Sequence, residues 1–187
     1  MNLKQLSIED IEEVYYKYAE KDFPPEELKP FNMIEKLIKK KIYICYGLYE
    51  KEQLLAYAFL VTGKSYLLID YYAVCSEHRD EGIGSRFLNI LKDQFKNYDG
   101  IIVEVEKIED APDEDEKIIR KRRIDFYKRN EMEMTKISIC LFNVNYSIMC
   151  LCSSKVEDLD IYKGLESIYQ EIIPEKLYLQ HVKLILN

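Results

Sequence analysis

Apolar and polar positions along this chain of 187 residues follow a helical period first. Ser7 precedes an amphipathic stretch and Asp10 lies three residues further on, a pattern that predicts a capped helix reaching about residue 21. A second helical region is interrupted near residue 30 and ends in a run of three lysines at 39–41. The N-terminal part therefore predicts two helices in succession.

After the helices, the pattern changes to the two-residue period of strands. Residues 42–50 and 54–62 flank a polar link as the arms of a hairpin do. A short first strand is also predicted before the helices, at residues 1–5. Residues 65–74 predict the next strand of the meander, and residues 101–105 a later, β-branched one. An amphipathic helix separates these last two strands, which predicts a right-handed crossover and a parallel pair.

The last third of the chain alternates again between charged, helical and extended segments. Residues 107–117 predict a charged loop, and residues 118–130 a basic amphipathic helix. The remaining predicted elements are two strands at 135–142 and 146–152 and a helix at 159–172. The pattern as a whole predicts a mixed α/β (α+β) fold, in which a mostly antiparallel sheet with a central parallel β-α-β crossover is flanked by helices.

The chain end leaves two alternatives open. Residues 178–187 are apolar enough either to cover the protein's own sheet or to pair with a second chain, so a homodimer is one of the two interpretations. We expect residues 1–152 to form the main domain, and residues 153–187 to pack on it as a C-terminal helix and tail.

Composition narrows the functional classes. The net charge of −7 disfavours nucleic acid as a partner, because an acidic surface repels phosphate backbones. No apolar run reaches the ~20 residues that cross a bilayer, and the N-terminus lacks a secretory apolar region, so we expect no membrane association and a cytoplasmic protein. Two histidines and five scattered cysteines favour reduced thiols and no metal site.

Two of the six glycines, Gly82 and Gly84, stand close together where a strand gives way to a helix. Helix N-termini carry unpaired N–H groups and a partial positive charge, and glycine lets an anion come close to them. Arg79, three residues before Gly82, would add a cation. The alternative is a tight turn that uses glycine only for its positive φ.

These residues resemble a known family. AVCSEHRDEGIG is similar to motif A of the GNAT acetyltransferases, Arg/Gln-x-x-Gly-x-Gly/Ala, which Arg79, Gly82 and Gly84 match. RIDFYKRNEM resembles the family's second motif, a helix ending in Phe-Tyr-x-x-Asn-Gly-Phe, and the order of elements fits over about residues 1–152. The resemblance implies the GNAT fold, with acetyl-CoA as cosubstrate.

The resemblance also implies where the donor binds. Main-chain groups of Ala73 and Val74 would pair with the pantetheine arm of the donor. The N–H groups of residues 79–85 would hold its pyrophosphate. The implied donor-binding residues are Ala73, Val74, Arg79, Asp80, Glu81, Gly82, Ile83, Gly84 and Ser85. Asp80 and Glu81 place carboxylates beside a diphosphate, so we expect modest affinity for CoA.

The resemblance implies two catalytic residues. Tyr127 matches the tyrosine that protonates the departing thiolate, the alternative being an aromatic ring packed on the sheet. Glu104 matches the base of acetyltransferases that act on ribosomal-protein N-termini, the alternative being an ion pair with Arg120 or Arg123. Asp70 or a chain of waters are the other candidates for the base.

The chain departs from the second motif at its end. Asn130, Glu131 and Met132 stand where the family has Asn-Gly-Phe. Glycine there takes the left-handed position that ends the helix. We expect Asn130 to take that conformation instead, which would shift the helix end, and Tyr127 with it, by one residue.

The resemblance implies an acetyl-CoA-dependent N-acetyltransferase acting on a primary amine of a small molecule or a peptide. The alternative is a non-catalytic module that kept the fold and binds CoA or another protein. The acidic segment at 107–117 either screens cationic acceptors or is a solvated loop.

Overall fold

The computed structural model describes residues 1–25, 27–152 and 156–187. The mixed α/β class, with a mostly antiparallel eight-stranded sheet and one parallel strand pair, is confirmed. In chain order the elements are β1 (Asn2–Gln5), α1 (Ile8–Val14), a π-helical turn (Tyr15–Ala19), α2 (Glu20–Asp22), α3 (Phe31–Lys39), β2 (Tyr43–Glu50), β3 (Gln53–Thr62), β4 (Tyr66–Val74), α4 (Ile83–Gln94), β5 (Gly100–Glu106), α5 (Glu114–Arg129), β6 (Glu133–Leu141), β7 (Val144–Cys152), α6 (Asp158–Ile172), α7 (Glu175–His181) and β8 (Val182–Leu186).

The described residues form two compact units. The first comprises residues 1–62 and 69–91, and the second residues 63–68 and 92–187. Strands β1, β2, β3 and β4 lie side by side in that order, and β1 and β3 are both antiparallel to β2. The second unit contains the antiparallel order β5-β7-β6-β8.

The first helix begins as its sequence predicts. The Ser7 hydroxyl accepts a hydrogen bond from the Asp10 N–H at 3.2 Å, and the Asp10 carboxylate accepts one from the Ser7 N–H at 3.0 Å. This reciprocal capping box satisfies two N–H groups that the helix leaves unpaired. The helix runs on through the π-helical turn to Asp22, one residue beyond the predicted end.

The π-helical turn is a local departure from α-geometry. Its i→i+5 hydrogen bonding occurs mostly as single turns inside α-helices, often near functional sites. Tyr15, at its start, donates to the Lys29 carbonyl at 3.0 Å. Asp22, just after it, accepts a hydrogen bond from Tyr57 on β3 at 2.8 Å. The turn therefore sets which side of α2 faces the strands.

Aromatic rings form much of the core of the first unit. Tyr43, Tyr57 and Phe59 are fully buried on adjacent strands. Phe59 meets Tyr43 and Tyr71 edge to face, with ring centroids 6.3 and 5.9 Å apart. Such edge-to-face pairs add to the free energy gained from burial alone.

No helix among the described residues is long and apolar enough to cross a membrane.

The second unit is completed by the end of the chain. β8 pairs antiparallel with β6, Ile139 lying opposite Leu184. The tail therefore joins its own sheet as the edge strand beside β6. The separation of this tail into α7 and β8 was not predicted.

One predicted boundary is wrong. The segment at 107–117 was expected to be a loop, but α5 begins at Glu114. Asp113 caps the helix by accepting a hydrogen bond from the Glu116 N–H at 2.8 Å. Acidic residues at 114–116 fill the first turn, where negative charge is favourable because of the helix dipole. The last part of the expected loop is therefore a helix start.

Candidate active site

The turn before α4 is open to solvent at its first glycine. Gly82 has a φ of 75°, which side chains rarely adopt, and a Cβ built on it would meet no atom within 4 Å. Glycine is therefore needed here for the backbone conformation, while the space beside it stays empty. A ligand can approach the main chain closely at this position.

Main-chain N–H groups that find no acceptor in the described part of the chain lie at the same place. The Arg86 N–H donates to the Gly82 carbonyl at 3.1 Å and so closes the first turn of α4. Among the described residues, nothing accepts a hydrogen bond from the N–H groups of Ile83, Gly84 and Ser85. Unpaired donors at the positive end of a helix favour an anion.

Tyr72 fixes this turn against β4. Its hydroxyl donates to the Gly84 carbonyl at 2.6 Å, and its ring stacks on Phe87 with centroids 5.3 Å apart. Ile83 and Gly84 are buried, whereas Ser85 is half-buried. The first turn of α4 is therefore joined to β4 by a hydrogen bond and by a stacked ring pair.

The Arg79 guanidinium points back to the protein. Its Nε donates to the Val74 carbonyl at 3.2 Å, and a terminal nitrogen pairs with Asp22 at 2.7 Å. Asp22, whose side chain is 11% exposed, also accepts the Tyr57 hydroxyl. Arg79 thus ties the end of β4, where Ala73 is buried and Val74 half-buried, to α2.

The two carboxylates that conflict with a diphosphate both lie at the surface. Asp80 and Glu81 are exposed, and Glu81 lies 3.4 Å from a ring nitrogen of His78. Asp80 also has a positive φ of 66°. The turn thus contains two left-handed residues, Asp80 and Gly82, within three positions.

Tyr127, on α5, is buried except at its tip. The residue is only 6% exposed, and burial raises the pKa of the phenol to about 12. The hydroxyl makes no hydrogen bond within the described residues, although every fully buried polar side-chain atom there has a partner. The oxygen therefore reaches accessible space at the end of a packed ring.

The end of α5 corrects the expectation for Asn130. Asn130 has a φ of −101°, and Glu131 takes the left-handed conformation with a φ of 66°. The Met132 and Glu131 N–H groups donate to the carbonyls of Tyr127 and Lys128, as in a Schellman motif. Glu131 thus occupies the position of the family's glycine, and Tyr127 is not displaced.

Glu104, half-buried on β5, accepts a hydrogen bond from the hydroxyl of Tyr169 on α6. The two arginines that the sequence offered as alternative partners of Glu104, Arg120 and Arg123, lie beside the next carboxylate of β5. Both arginines bind Glu106, at 2.8 and 2.9 Å.

Asp70 is engaged within the first unit. Its carboxylate accepts a hydrogen bond from Tyr43 and pairs with the Lys29 ammonium at 2.6 Å. The Asp70 side chain is only 8% exposed. Both oxygens of the carboxylate are thus already engaged by partners within the protein, which weakens Asp70 as a candidate base.

Comparison with known proteins decides the family. The sequence profile of the Acetyltransferase (GNAT) family matches residues 7–118, which is more than half of the chain. The chain belongs to the GNAT acetyltransferase family. The resemblance recognised in the sequence, and the enzyme class that it implies, are confirmed.

Individual relatives agree with this. "Putative acetyltransferase YjbC" of Bacillus subtilis (strain 168) is 25% identical over 147 residues, which cover 79% of this chain and 68% of that protein. A GNAT-family structure from Bacteroides thetaiotaomicron has a TM-score of 0.69 at 17% identity, covering 92% of this chain and 98% of that one. The ribosomal-protein-S18-alanine N-acetyltransferase of Escherichia coli has a TM-score of 0.60 at 17% identity, covering 83% and 95%. At these identities the two structures show the shared fold.

Two contacts of this GNAT chain were missed by sequence reasoning. Tyr169 sits in a helical apolar pattern with Leu165 and Ile168, which is typical of core residues. Asp22 lies at a helix end without any motif around it. Tyr169 contacts Glu104, 65 residues away in sequence, and Asp22 contacts Arg79, 57 residues away. Because the partners are so distant, the spacing of nearby residues does not reveal these contacts.

Proposed function

We propose that this GNAT protein transfers an acetyl group from acetyl-CoA to a primary amine of a small molecule or a peptide. The observation that supports it most is the open first turn of α4, where three unpaired N–H groups adjoin a glycine with free space beside it. An anion the size of a phosphate suits such a turn.

The donor would be held by groups of the first unit. N–H groups from Arg79 to Ser85 would bind its pyrophosphate, and main-chain groups of Ala73 and Val74 its pantetheine arm. Because the Arg79 guanidinium is paired with Asp22, binding would rely on the main chain more than on this cation. Asp80 and Glu81 would lower the affinity through repulsion.

Tyr127 would act as the acid. When the C–S bond of the thioester breaks, the sulfur gains negative charge and takes the phenolic proton. A pKa near 12 keeps Tyr127 protonated at any pH at which the enzyme would work, so it serves as a donor and not as a base. Its accessible oxygen is consistent with this role.

Glu104 would act as the base. The acceptor arrives mainly as an ammonium ion and must lose a proton before its nitrogen can attack the thioester carbonyl. A half-buried carboxylate on β5, which takes a hydrogen bond from the neutral Tyr169 hydroxyl, can accept that proton. A water chain leading to Glu104 is compatible with the same role, whereas Asp70 is occupied by Lys29.

The proposal that the acceptor is an amine rests on the net charge of the protein and on its family. A net charge of −7 attracts cations, and acidic residues are concentrated around the start of α5. The Escherichia coli protein of similar fold is named for the alanine of a ribosomal protein. We propose further that the segment 1–152 is the acetyltransferase domain and that residues 156–187 pack on it; residues 26 and 153–155 of this division lie outside the described residues.

The direct test is release of free thiol from acetyl-CoA over a panel of amines, from polyamines to peptides with free N-termini. We expect at least one amine to be acetylated, and Glu104→Gln to lower turnover ~10²-fold or more. Glu109→Gln is the matched control, because Glu109 is exposed and the change is the same. Acetyl-CoA binding without thiol release on any amine would instead support the non-catalytic module.

A further inference from the structure

We propose that Tyr169, on the C-terminal helix α6, is a positioning residue that orients Glu104 and holds it ionised. This inference rests on the proposed function only in so far as Glu104 is the base of the transfer. It extends that function to a part of the chain beyond residues 7–118, which match the family profile.

The placement of α6 is determined by close packing within the second unit. Gly164 lies against the ring of Tyr66, and a Cβ on it would come within 2.3 Å of that ring. Four residues later, Ile168 packs on Gly63, where a Cβ would be 2.8 Å from the isoleucine side chain. At these two contacts α6 lies close against residues 63 and 66, and Tyr169 directly follows the second contact residue, Ile168.

The hydroxyl of Tyr169 ends on the Glu104 carboxylate. Tyr169 is 1% exposed, and its hydroxyl donates to Oε1 of Glu104. Hydrogen bonds to a charged acceptor in a poorly solvated place are stronger than neutral ones and orient it well. They also favour the ionised carboxylate over the neutral acid, which offsets the opposite effect of burial.

The neighbouring carboxylate on the same face of β5, Glu106, has charged partners, whereas Tyr169 is a neutral one. Glu106 is paired with the guanidinium groups of Arg120 and Arg123, two full positive charges. The Tyr169 phenol that donates to Glu104 is neutral, so this bond stabilises the anion without adding a positive charge. Loss of the Tyr169 hydroxyl would therefore remove a hydrogen bond from Glu104 without removing a charge.

The test compares two tyrosine-to-phenylalanine changes on α6. Tyr169→Phe removes the hydroxyl that contacts Glu104, and Tyr162→Phe makes the same change at a half-buried position seven residues earlier. With the full chain and the best amine of the panel, kcat/KM is measured against pH. We expect the acidic limb of the profile to move up by about one pH unit in Tyr169→Phe, because the carboxylate loses a bond that favours its charged form.

The control separates positioning from loss of structure. Thermal unfolding of both variants shows whether either has been damaged globally. Tyr162→Phe should leave the acidic limb in place. An unmoved limb in Tyr169→Phe, or an equal movement in both variants, would overturn the proposal.

A second measurement does not depend on activity. Carbon-13 NMR of glutamate-labelled protein follows the titration of the Glu104 carboxyl, identified by its loss in Glu104→Gln. We expect its pKa to be higher in Tyr169→Phe than in the unchanged chain, and an equal pKa in the two would refute the link. If no amine is acetylated, the proposed function fails, whereas this titration still decides the role of Tyr169.

Discussion

The two left-handed residues of the turn before α4, Asp80 and Gly82, solve the same backbone problem in different ways. Gly82 adopts its φ of 75° without cost from a side chain, while Asp80 adopts 66° as one of the few residue types that tolerate this region. Asp80 therefore serves the turn through its conformation and opposes an anionic ligand through its charge.

Asp80→Asn separates these two effects, because asparagine tolerates the same φ without the charge. We expect acetyl-CoA to bind roughly threefold tighter, as one negative charge is removed near the diphosphate. Isothermal titration calorimetry measures this, and the gain should shrink as salt is added. Asp93→Asn, an exposed change near the other end of α4, is the matched control. Equal affinities for Asp80→Asn and the unchanged chain would place the diphosphate elsewhere.

Tyr127→Phe tests the acid. The ring stays packed while the accessible hydroxyl is lost, so we expect turnover to fall by about 10²-fold and the dissociation constant of acetyl-CoA to change little. Steady-state kinetics and calorimetry give the two quantities. Unchanged turnover would remove Tyr127 from the mechanism and leave it the role of a packed aromatic residue.

At the scale of elements, α5 shows how its ends are set by single residues. Asp113 caps its start through the Glu116 N–H, and Glu131 closes its end in a conformation that favours glycine. The family pattern has glycine at that position, so this chain keeps the Schellman geometry at a cost in backbone strain.

Glu131→Gly should therefore stabilise the protein. Relief of the left-handed strain outweighs the loss of the exposed ion pair with Lys92, since such pairs contribute little. We expect the melting temperature to rise by roughly 2–4 °C. Glu131→Ala removes the same ion pair and keeps the strain, so it should show no gain in differential scanning calorimetry. A rise in both variants would assign the effect to the charge.

Gly164→Ala tests how tightly α6 is docked. A methyl group would fall 2.3 Å from the Tyr66 ring, so the helix or the ring must move. We expect a loss of about 1–3 kcal/mol in the free energy of unfolding, from urea denaturation. Lys163→Ala, an exposed change on the same helix, should be close to neutral. A neutral Gly164→Ala would mean that α6 is free to shift.

Local patterns predicted most of these elements, and their failures have physical causes. The capping box at Ser7 and the glycine turn at Gly82 were recognisable because each is formed by residues close in sequence. The start of α5 was missed because acidic residues suit both a solvated loop and a helix N-terminus. The Tyr169–Glu104 contact joins residues 65 apart, which only the folded chain brings together.

At the scale of the whole molecule, the sixteen tyrosines make stability sensitive to alkali. Burial raises the pKa of Tyr71 and of Tyr127 to about 12, above the ordinary value near 10, and raises those of Tyr43, Tyr57 and Tyr66 as well. The folded protein therefore holds protons that the unfolded chain releases above pH 10. The contribution of these buried tyrosines to the free energy of unfolding is complete below pH 10, and it is lost as the pH rises toward 12.

We expect the free energy of unfolding to fall steeply between pH 10 and 12, by about 2 kcal/mol for each of Tyr71 and Tyr127. Urea midpoints measured across this range give the slope, and tyrosinate absorbance should rise in a step that coincides with unfolding. Tyr71→Phe should flatten the slope. A flat stability profile, with all tyrosines titrating near pH 10, would contradict the burial of these side chains.

The π-helical turn at Tyr15–Ala19 makes the exact length of this segment matter. A deletion of one codon there would let the segment relax to α-geometry and would rotate the residues after it by about 100°. Asp22 would then leave Tyr57 and Arg79, and the end of β4 would lose its tether. Homologues with one residue fewer in this helix should therefore hold the end of β4 by some other contact.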